Sequence, residues 1–196
     1  MKAVYCTICG AETPNHKLDN LGVCTPCYLE GEARKRQNRK QGELIGYSYN
    51  DGGRRVAGYK GDTRDCVVRA FCVLTGADYK ETYRELASLE SATTGGSKTA
   101  RNGIHKPVRD AYFAKHGLEK VRLPKGSRPT FTEAFDRYGP CIVSTTKHVA
   151  ALTDGALQDT EDCRTYEMDS REDSYETGGV FERKAMSVWV LPKKGE

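Results

Sequence analysis

Residues 61–76, Gly-Asp-Thr-Arg-Asp-Cys-Val-Val-Arg-Ala-Phe-Cys-Val-Leu-Thr-Gly, join a polar turn directly to an apolar segment. Thr63 or Asp65 can cap the start of a helix there, and Gly76 can end it. Six of the eight residues from 67 to 74 are Val, Ala, Phe or Leu, which is too many apolar positions for a surface helix. The stretch therefore predicts a buried helix on which the rest of its domain packs.

Cys66 falls in the first turn of this predicted helix. The unpaired backbone N–H groups and the positive end of the helix dipole favour a thiolate there, so Cys66 is the strongest candidate nucleophile in the chain. Many free cysteines are simply small buried hydrophobic residues, and this segment alone leaves both interpretations open.

A hairpin predicted nearer the C-terminus supplies partners for a thiolate. Its two strands are joined by Asp154-Gly155, a sequence typical of a two-residue turn. In the resulting register Ala150 faces Asp159, and His148 lies on the same face as Ala150 because side chains alternate. Asp159 is then the diagonal neighbour of His148, about 7 to 8 Å away between backbone positions. A carboxylate there can orient the imidazole and hold it as an imidazolium beside a thiolate.

The N-terminal segment carries two Cys-x-x-Cys pairs, formed by Cys6, Cys9, Cys24 and Cys27 and separated by fourteen residues. Four thiolates at this spacing predict a closed, tetrahedral, structural Zn²⁺ site with no open position for a substrate water. So short a segment has almost no core without metal, so we expect zinc to decide whether it folds. The motif does not choose between a nucleic-acid ligand, a protein ligand and a purely structural role.

Positive charge is concentrated upstream of the Cys66 helix. Residues 1–60 hold ten Lys and Arg against six Asp and Glu, whereas the 21 bases and 21 acids of residues 61–196 cancel. Arg34, Arg36 and Arg39 belong to this basic part and can contact phosphates. Because no aromatic residue is interleaved there for base stacking, a solvated linker is the simpler interpretation.

Composition describes a globular protein with a polar surface, since 37% of its 196 residues are hydrophobic, 30% are charged and the mean hydropathy is -0.68. No apolar run approaches the roughly 18 residues of a membrane span, and the N-terminus lacks the apolar core of a signal peptide. We therefore expect a cytoplasmic protein without membrane partners, in a reducing compartment where the remaining cysteines are free thiols.

The order of predicted elements places helices before strands. Helices are predicted at 78–89, 103–116 and 130–138, and strands at 141–145, 148–153, 156–160 and 187–191. Between the last two strands, the acidic residues 159–182 are predicted to form a long surface loop. The chain is expected to comprise a zinc ribbon at 1–29, a basic linker or helix at 30–46 and an α+β domain at 47–196.

Three motifs of this domain resemble the papain-like cysteine peptidase fold, particularly its compact bacterial members of the peptidase C39-like type, and a group of uncharacterised bacterial and phage proteins. They are Tyr49-Asn50-Asp51-Gly52-Gly53-Arg54, Gly61-Asp62-x-x-Asp65-Cys66-Val67-x-Arg69-Ala70, and His148-Val149-x-x-Leu152-x-Asp154-Gly155-x-x-x-Asp159-Thr160. The resemblance covers about residues 47–191. It implies that Cys66 is the nucleophile, His148 the base and Asp159 the orienting acid, with the backbone N–H of Cys66 as one oxyanion donor.

The chain departs from that family just before the nucleophile. The Gln or Asn side chain expected there is absent, and Lys60, Asp62, Thr63 and Arg64 occupy the stretch. Losing one oxyanion donor can lower the rate roughly 100- to 1,000-fold. Either Lys60, Thr63 or another backbone N–H replaces it, or the domain has lost its chemistry.

The resemblance implies a thiol-dependent acyl-transfer enzyme that hydrolyses a peptide or isopeptide bond in a protein or peptide substrate. The alternative is a non-catalytic binding protein. In that case the zinc ribbon and basic linker dock on nucleic acid or a host protein, and the papain-like domain is an inactive scaffold.

Overall fold

The computed structural model of the chain describes residues 4–5, 12–13, 43–61, 63–95, 99–167 and 180–192. The four cysteines predicted to bind zinc and the three arginines of the basic linker lie outside these residues. Within the N-terminal part, Val4–Tyr5 (β1) pairs antiparallel with Glu12–Thr13 (β2).

Four α-helices occur in the described ranges. They are α1 (Cys66–Thr75), α2 (Tyr79–Thr94), α3 (Lys106–Lys115) and α4 (Phe131–Tyr138), and a 3₁₀ turn spans Ala100–Asn102. As predicted, α1 is buried and ends at Gly76, whose φ of 71° lies in the left-handed region. A capping box between Thr130 and Glu133 begins α4. None of these helices has the length and apolar character needed to cross a membrane.

The main sheet has six strands. They are β3 (Gly46–Tyr49), β4 (Glu119–Lys120), β5 (Cys141–Ser144), β6 (Val149–Thr153), β7 (Ala156–Asp159) and β10 (Ser187–Val190). Their spatial order is β3-β7-β6-β5-β10-β4. Only β3 runs parallel to its neighbour, and the other pairs are antiparallel. Helices and sheet are combined in one unit, which fits the predicted α+β class.

The predicted hairpin is confirmed. The turn residues Asp154 and Gly155 have φ values of 54° and 70°, the left-handed conformation that a tight hairpin turn needs. The register pairs Thr153 with Ala156, Leu152 with Leu157, and Ala151 with Gln158, as predicted. His148 immediately precedes β6 and Asp159 is the last residue of β7, so the hairpin brings both to the same end of the sheet.

Both faces of the sheet are covered. One face packs on α1, α2 and α3 through a cluster that includes Phe71, Phe113 and Ala151. The other packs on α4 through a cluster that includes Phe135 and Leu152. Cys72 and Cys141 are buried in these clusters, and each is less than 5% exposed. The helix that begins with Cys66 is therefore packed between the sheet and its neighbouring helices.

Two features of the sheet structure were not predicted. The acidic residues 159–182, expected to be a loop, contain the antiparallel strands β8 (Thr165–Glu167) and β9 (Val180–Glu182), which form a separate pair. The edge strand β4 has only two residues, both charged and exposed. Charged residues alone form β4, and β8 and β9 have three residues each, too few for the hydrophobic alternation that identifies a strand.

Candidate active site

The structure places Cys66 at the first residue of α1, where it is half-buried. The preceding residue, Asp65, occupies the N-cap position but makes no side-chain capping hydrogen bond. The Asp65 carboxylate instead binds Arg54, Arg69 and Tyr79. Asp65 therefore occupies the predicted cap position but does not make the predicted capping hydrogen bond. The first-turn N–H of Cys66 stays without a side-chain cap from Asp65.

His148 and Asp159 contact each other directly, through Nε2 of the ring and Oδ2 of the carboxylate. The His148 side chain is 25% exposed, whereas that of Asp159 is only 3% exposed. The imidazole therefore lies at the surface of the domain with its orienting carboxylate beneath it.

Electrostatics favour the charged form of both groups. Burial disfavours the His148 imidazolium, but hydrogen bonds to Asp159, Cys163 and Cys66 outweigh it and raise the pKa of His148. Burial likewise opposes ionisation of Asp159, yet the hydrogen bond and charge of His148, the charge of Arg69 and the N–H of Thr160 lower its pKa. The two residues form an imidazolium–carboxylate pair.

The thiols of Cys163 and Cys66 both lie close enough to the imidazole of His148 to contribute to its raised pKa. The structure thus brings together all three residues predicted for the catalytic site, from a helix start and from the two strands of a hairpin. A thiol on an imidazole that is itself held by a buried carboxylate is the arrangement that activates a cysteine nucleophile.

Asp159 is fixed by more than its histidine. Its Oδ1 accepts a hydrogen bond from the backbone N–H of Thr160 at 2.6 Å and another from Nη2 of Arg69 at 3.2 Å. Arg69 lies one turn after Cys66 on α1 and is 7% exposed. The helix that supplies the thiol therefore also holds the acid.

Arg69 links this acid to a second buried carboxylate, Asp65. Asp65 is fully buried and accepts hydrogen bonds from Arg69 Nη1, from Tyr79 Oη and from Arg54 Nε, the last at 2.9 Å. Burial and the bond to Asp65 raise the pKa of Tyr79, so its hydroxyl stays a donor. A continuous buried chain of polar contacts thus runs from Arg54 through Asp65, Arg69 and Asp159 to the imidazole.

This network was missed by sequence reasoning, although one signal was present. Arg69 is the one charged residue in the apolar segment 66–75, and a buried charge needs a partner. Asp65 lies four positions before it, which is the spacing of an ion pair on a helix. The sequence does not reveal that Asp159 completes the set.

Cys163 is a further residue beside the imidazole. The ligand atoms of His148, Asp159 and Cys163 lie within 4.8 Å of one another. These donor types can share a metal ion. The contacts of Asp159 with Arg69 and His148 compete with that role, because they occupy its carboxylate oxygens.

The other two histidines considered in this domain lie elsewhere. His105 pairs with the buried carboxylate of Glu90, and His116 pairs with Glu85 at 3.3 Å. They stand at opposite ends of α3, so they serve helix packing rather than the Cys66 site.

The residues upstream of Cys66 contact the 3₁₀ turn. Thr63 donates its hydroxyl to the carbonyl of Arg101 at 3.4 Å, and the backbone N–H of Arg64 donates to the same carbonyl at 3.0 Å. The Thr63 hydroxyl therefore donates its proton to Arg101 and not to a group beside Cys66. Lys60, the other side chain considered as an oxyanion donor, is exposed.

Searches of the chain against protein-family models, curated proteins and solved structures return no match. The function proposed below is therefore based on the contacts of Cys66, His148 and Asp159.

Proposed function

We propose that the chain is a thiol-dependent acyl-transfer enzyme with a papain-like domain, which hydrolyses a peptide or isopeptide bond. The observation that carries this proposal is the direct contact of the His148 ring with Asp159 through Nε2, close to Cys66 at the start of α1, whose thiol contributes to the raised pKa of His148. A nucleophile at a helix start, a base and an orienting acid are the parts that acyl transfer requires.

In the first half of the reaction, the thiolate of Cys66, paired with the imidazolium of His148, attacks the carbonyl carbon of the substrate. The tetrahedral intermediate collapses when the imidazolium of His148 protonates the leaving amine, and a thioester remains on Cys66. In the second half, His148 takes a proton from water, the hydroxide attacks the thioester, and the carboxylic acid leaves as Cys66 is restored.

Asp159 supports both halves by holding one ring orientation. Because Asp159 occupies Nε2, the other nitrogen, Nδ1, is the one that exchanges a proton with the thiol and the leaving group. Arg69 and Thr160 keep the carboxylate ionised and fixed in turn.

Oxyanion stabilisation needs donors close to Cys66. Its own backbone N–H belongs to the first turn of α1, where the N–H groups have no intrahelical acceptor. Because the Thr63 hydroxyl is already bonded to Arg101, the second donor is Lys60 or another backbone N–H of that turn.

For the N-terminal segment we propose a structural Zn²⁺ bound by Cys6, Cys9, Cys24 and Cys27. The resulting ribbon, with the basic linker, docks on nucleic acid or a host protein. The spacing of the cysteines supports the metal, and the excess of positive charge supports an anionic partner.

The alkylation rate of each cysteine by iodoacetamide, read by peptide mass spectrometry across a pH series, tests the enzyme proposal. At pH 6 an ordinary thiol with a pKa of about 8.5 is only roughly 0.3% ionised. We expect Cys66 to react at least tenfold faster than such a thiol, and His148→Ala to abolish the difference. Cys72 is an internal reference, because burial raises its pKa to about 12.

If Cys66 in the wild type labels at pH 6 no faster than Cys72, the thiol is not activated, and the chain is not a thiol enzyme. A rate for Cys66 that is unchanged in His148→Ala would equally contradict the assigned pairing.

A further inference from the structure

Asp65 occupies the N-cap position of α1, yet its side chain does not cap the helix. An aspartate at this position normally accepts a hydrogen bond from an N–H group of the first turn. Here the residue is fully buried, and its carboxylate points to side chains inside the domain. Asp65 therefore does not occupy the first-turn N–H groups beside Cys66, which favour a thiolate and a developing oxyanion.

Three donors from three parts of the chain fix the Asp65 carboxylate. Arg54 Nε, from the segment before α1, donates to it at 2.9 Å. Arg69 Nη1 donates from α1, and Tyr79 Oη donates from α2. Two of these hydrogen bonds join opposite charges, and such bonds are roughly twice as strong as neutral ones. The carboxylate is thereby held in one position.

Arg69 connects this fixed carboxylate to Asp159. Its guanidinium is a rigid, planar fork whose two terminal nitrogens bind different acids. Nη1 binds Asp65, and Nη2 donates to Oδ1 of Asp159 at 3.2 Å. The third nitrogen, Nε, is buried and has no hydrogen-bond partner in the described part of the chain. The two carboxylates are therefore the groups that orient the guanidinium.

A change at Asp65 consequently reaches His148. Burial lowers the pKa of Arg69, but the charges of Asp65 and Asp159 outweigh it, so Arg69 is a cation. Without the charge of Asp65, this buried cation keeps Asp159 as its one anionic partner and is drawn towards it. Arg69 and His148 bind different oxygens of Asp159, Oδ1 and Oδ2. A displaced carboxylate no longer holds the imidazole in the same orientation.

We propose that Asp65 is a positioning residue of the active site, which acts through Arg69 to keep Asp159, and with it the ring of His148, in place beside Cys66. The proposal rests on the proposed function. It adds a residue whose side chain binds Arg54, Arg69 and Tyr79 rather than the groups that react.

The sign of one substitution separates positioning from the other effects of Asp65. Asp65 is the chain neighbour of Cys66, and removing a negative charge beside a thiol favours its thiolate. By that direct effect alone, Asp65→Asn would speed up the alkylation of Cys66. General loosening of the fold would also speed it up, and would expose Cys72 as well. Loss of positioning slows it, because a displaced imidazole no longer stabilises the thiolate.

We therefore expect Asp65→Asn to lower the iodoacetamide alkylation rate of Cys66 about tenfold in the acidic part of the pH series, while Cys72 stays protected. Asp110→Asn is the matched control, because Asp110 also binds an arginine and a lysine, Arg109 and Lys120, but lies on α3. It should keep the wild-type rate. An unchanged or faster rate for Cys66 in Asp65→Asn, with Cys72 still protected, would overturn the proposal.

Tyr79→Phe tests the same link without removing a buried charge, and it decides the question if Asp65→Asn exposes Cys72. It deletes one donor to Asp65 and keeps the ring, so we expect roughly threefold slower alkylation of Cys66. Tyr83→Phe, on the same helix, is the control, because Tyr83 Oη binds the N–H of Arg101. Equal Cys66 rates in the two tyrosine variants would contradict the role of Asp65.

A double-mutant cycle tests whether the effect passes through Asp159. In an Asp159→Asn background the acid to be positioned is gone, so Asp65→Asn should no longer slow the alkylation of Cys66. The same loss of rate in both backgrounds would mean that Asp65 acts on Cys66 without Asp159, contrary to the proposal.

The ring proton on Nε2 of His148 gives a readout that needs no reactive thiol. A ring N–H bound to a buried carboxylate exchanges slowly and resonates far downfield in proton NMR, and its absence in His148→Gln assigns it. We expect this resonance in wild type and in Asp110→Asn, and its loss or upfield shift in Asp65→Asn. If Cys66 in the wild type is not activated, the proposed function fails and this resonance alone decides the role of Asp65. A resonance unchanged in Asp65→Asn would overturn that role, whatever the reactivity of Cys66.

Discussion

Arg69 donates a hydrogen bond to Asp159 across 3.2 Å, and with it the helix that carries Cys66 positions the acid that holds His148. The same guanidinium also binds Asp65. Cys66, His148 and Asp159 are thereby connected through one buried side chain, although they come from separate parts of the sequence.

Replacing Arg69 with Met should therefore weaken both the fold and the site. Two buried carboxylates would lose their shared cation, and breaking a buried ion pair costs about 3 to 5 kcal/mol of unfolding free energy. Urea denaturation measures this loss, and the alkylation rate of Cys66 measures the loss of activation. Arg84→Met, an exposed change on α2, is the control and should leave both unchanged. An Arg69→Met protein as stable as this control would mean that the network contributes nothing.

The His148–Asp159 pair should give stability a defined pH dependence. The pKa of His148 is raised on folding, so its stabilisation is fully present below about pH 6.5 and is lost as the pH rises through the folded value. The pKa of Asp159 is lowered, so its stabilisation is present above about pH 3.9 and is lost as the pH falls. The difference in unfolding free energy between wild type and His148→Gln should be largest from about pH 4 to 6.5.

Denaturation series at about half-unit pH steps, run on both proteins, check this window. A difference that stays constant from about pH 3 to pH 9 would show that the pair does not change its protonation on folding.

Gly52 should be among the least replaceable residues of the Gly- and Tyr-rich segment 47–61. Its φ is +62°, and a Cβ there would lie 2.8 Å from the carbonyl oxygen of Arg69. Gly52→Ala should cost about 1 to 2 kcal/mol for the left-handed backbone. Displacing α1 should add about 1 to 3 kcal/mol.

Gly58→Ala is the matched control. Gly58 has a φ of +84°, and within the described part of the chain no atom lies within 4 Å of the added Cβ. In thermal or urea unfolding, Gly58→Ala should therefore lose only the free energy that the left-handed backbone costs an alanine. Equal losses in the two variants would argue that the close approach of Gly52 to α1 is unimportant.

Zinc should be bound by the N-terminal cysteines and not by the cluster around His148. Native mass spectrometry should find one Zn²⁺ per chain, lost in the double variant Cys24→Ser and Cys27→Ser and retained in Cys163→Ser. The domain around Cys66 should remain folded without metal, because residues 45–191 supply two buried apolar clusters of their own. Loss of zinc in Cys163→Ser alone would instead assign the metal to the candidate active site.

Short-range patterns accounted for much of this fold. The buried helix could be predicted from its apolar density, and the hairpin register from Asp154-Gly155, because both depend on neighbouring residues. The contact between His148 and Asp159 then followed from strand geometry.

Long-range pairing of charges could not be predicted in the same way. Arg69 and Asp159 are ninety residues apart, and nothing local specifies which acid a buried arginine will meet. Strands as short as β8 and β9 could not be recognised until their pairing was known.

The parallel pairing of β3 has a consequence for how the chain folds. Gly46 pairs with Ala156, so the strand that precedes the nucleophile helix cannot join the sheet until the hairpin of β6 and β7 has been synthesised. Contacts between such distant residues form slowly, because a long loop must close first. Until then the Arg69 side chain lacks its partner Asp159, and the Cys66 thiol lacks the neighbouring imidazole of His148. On a nascent chain, Cys66 and Arg69 therefore acquire these partners only after Asp159 has been synthesised.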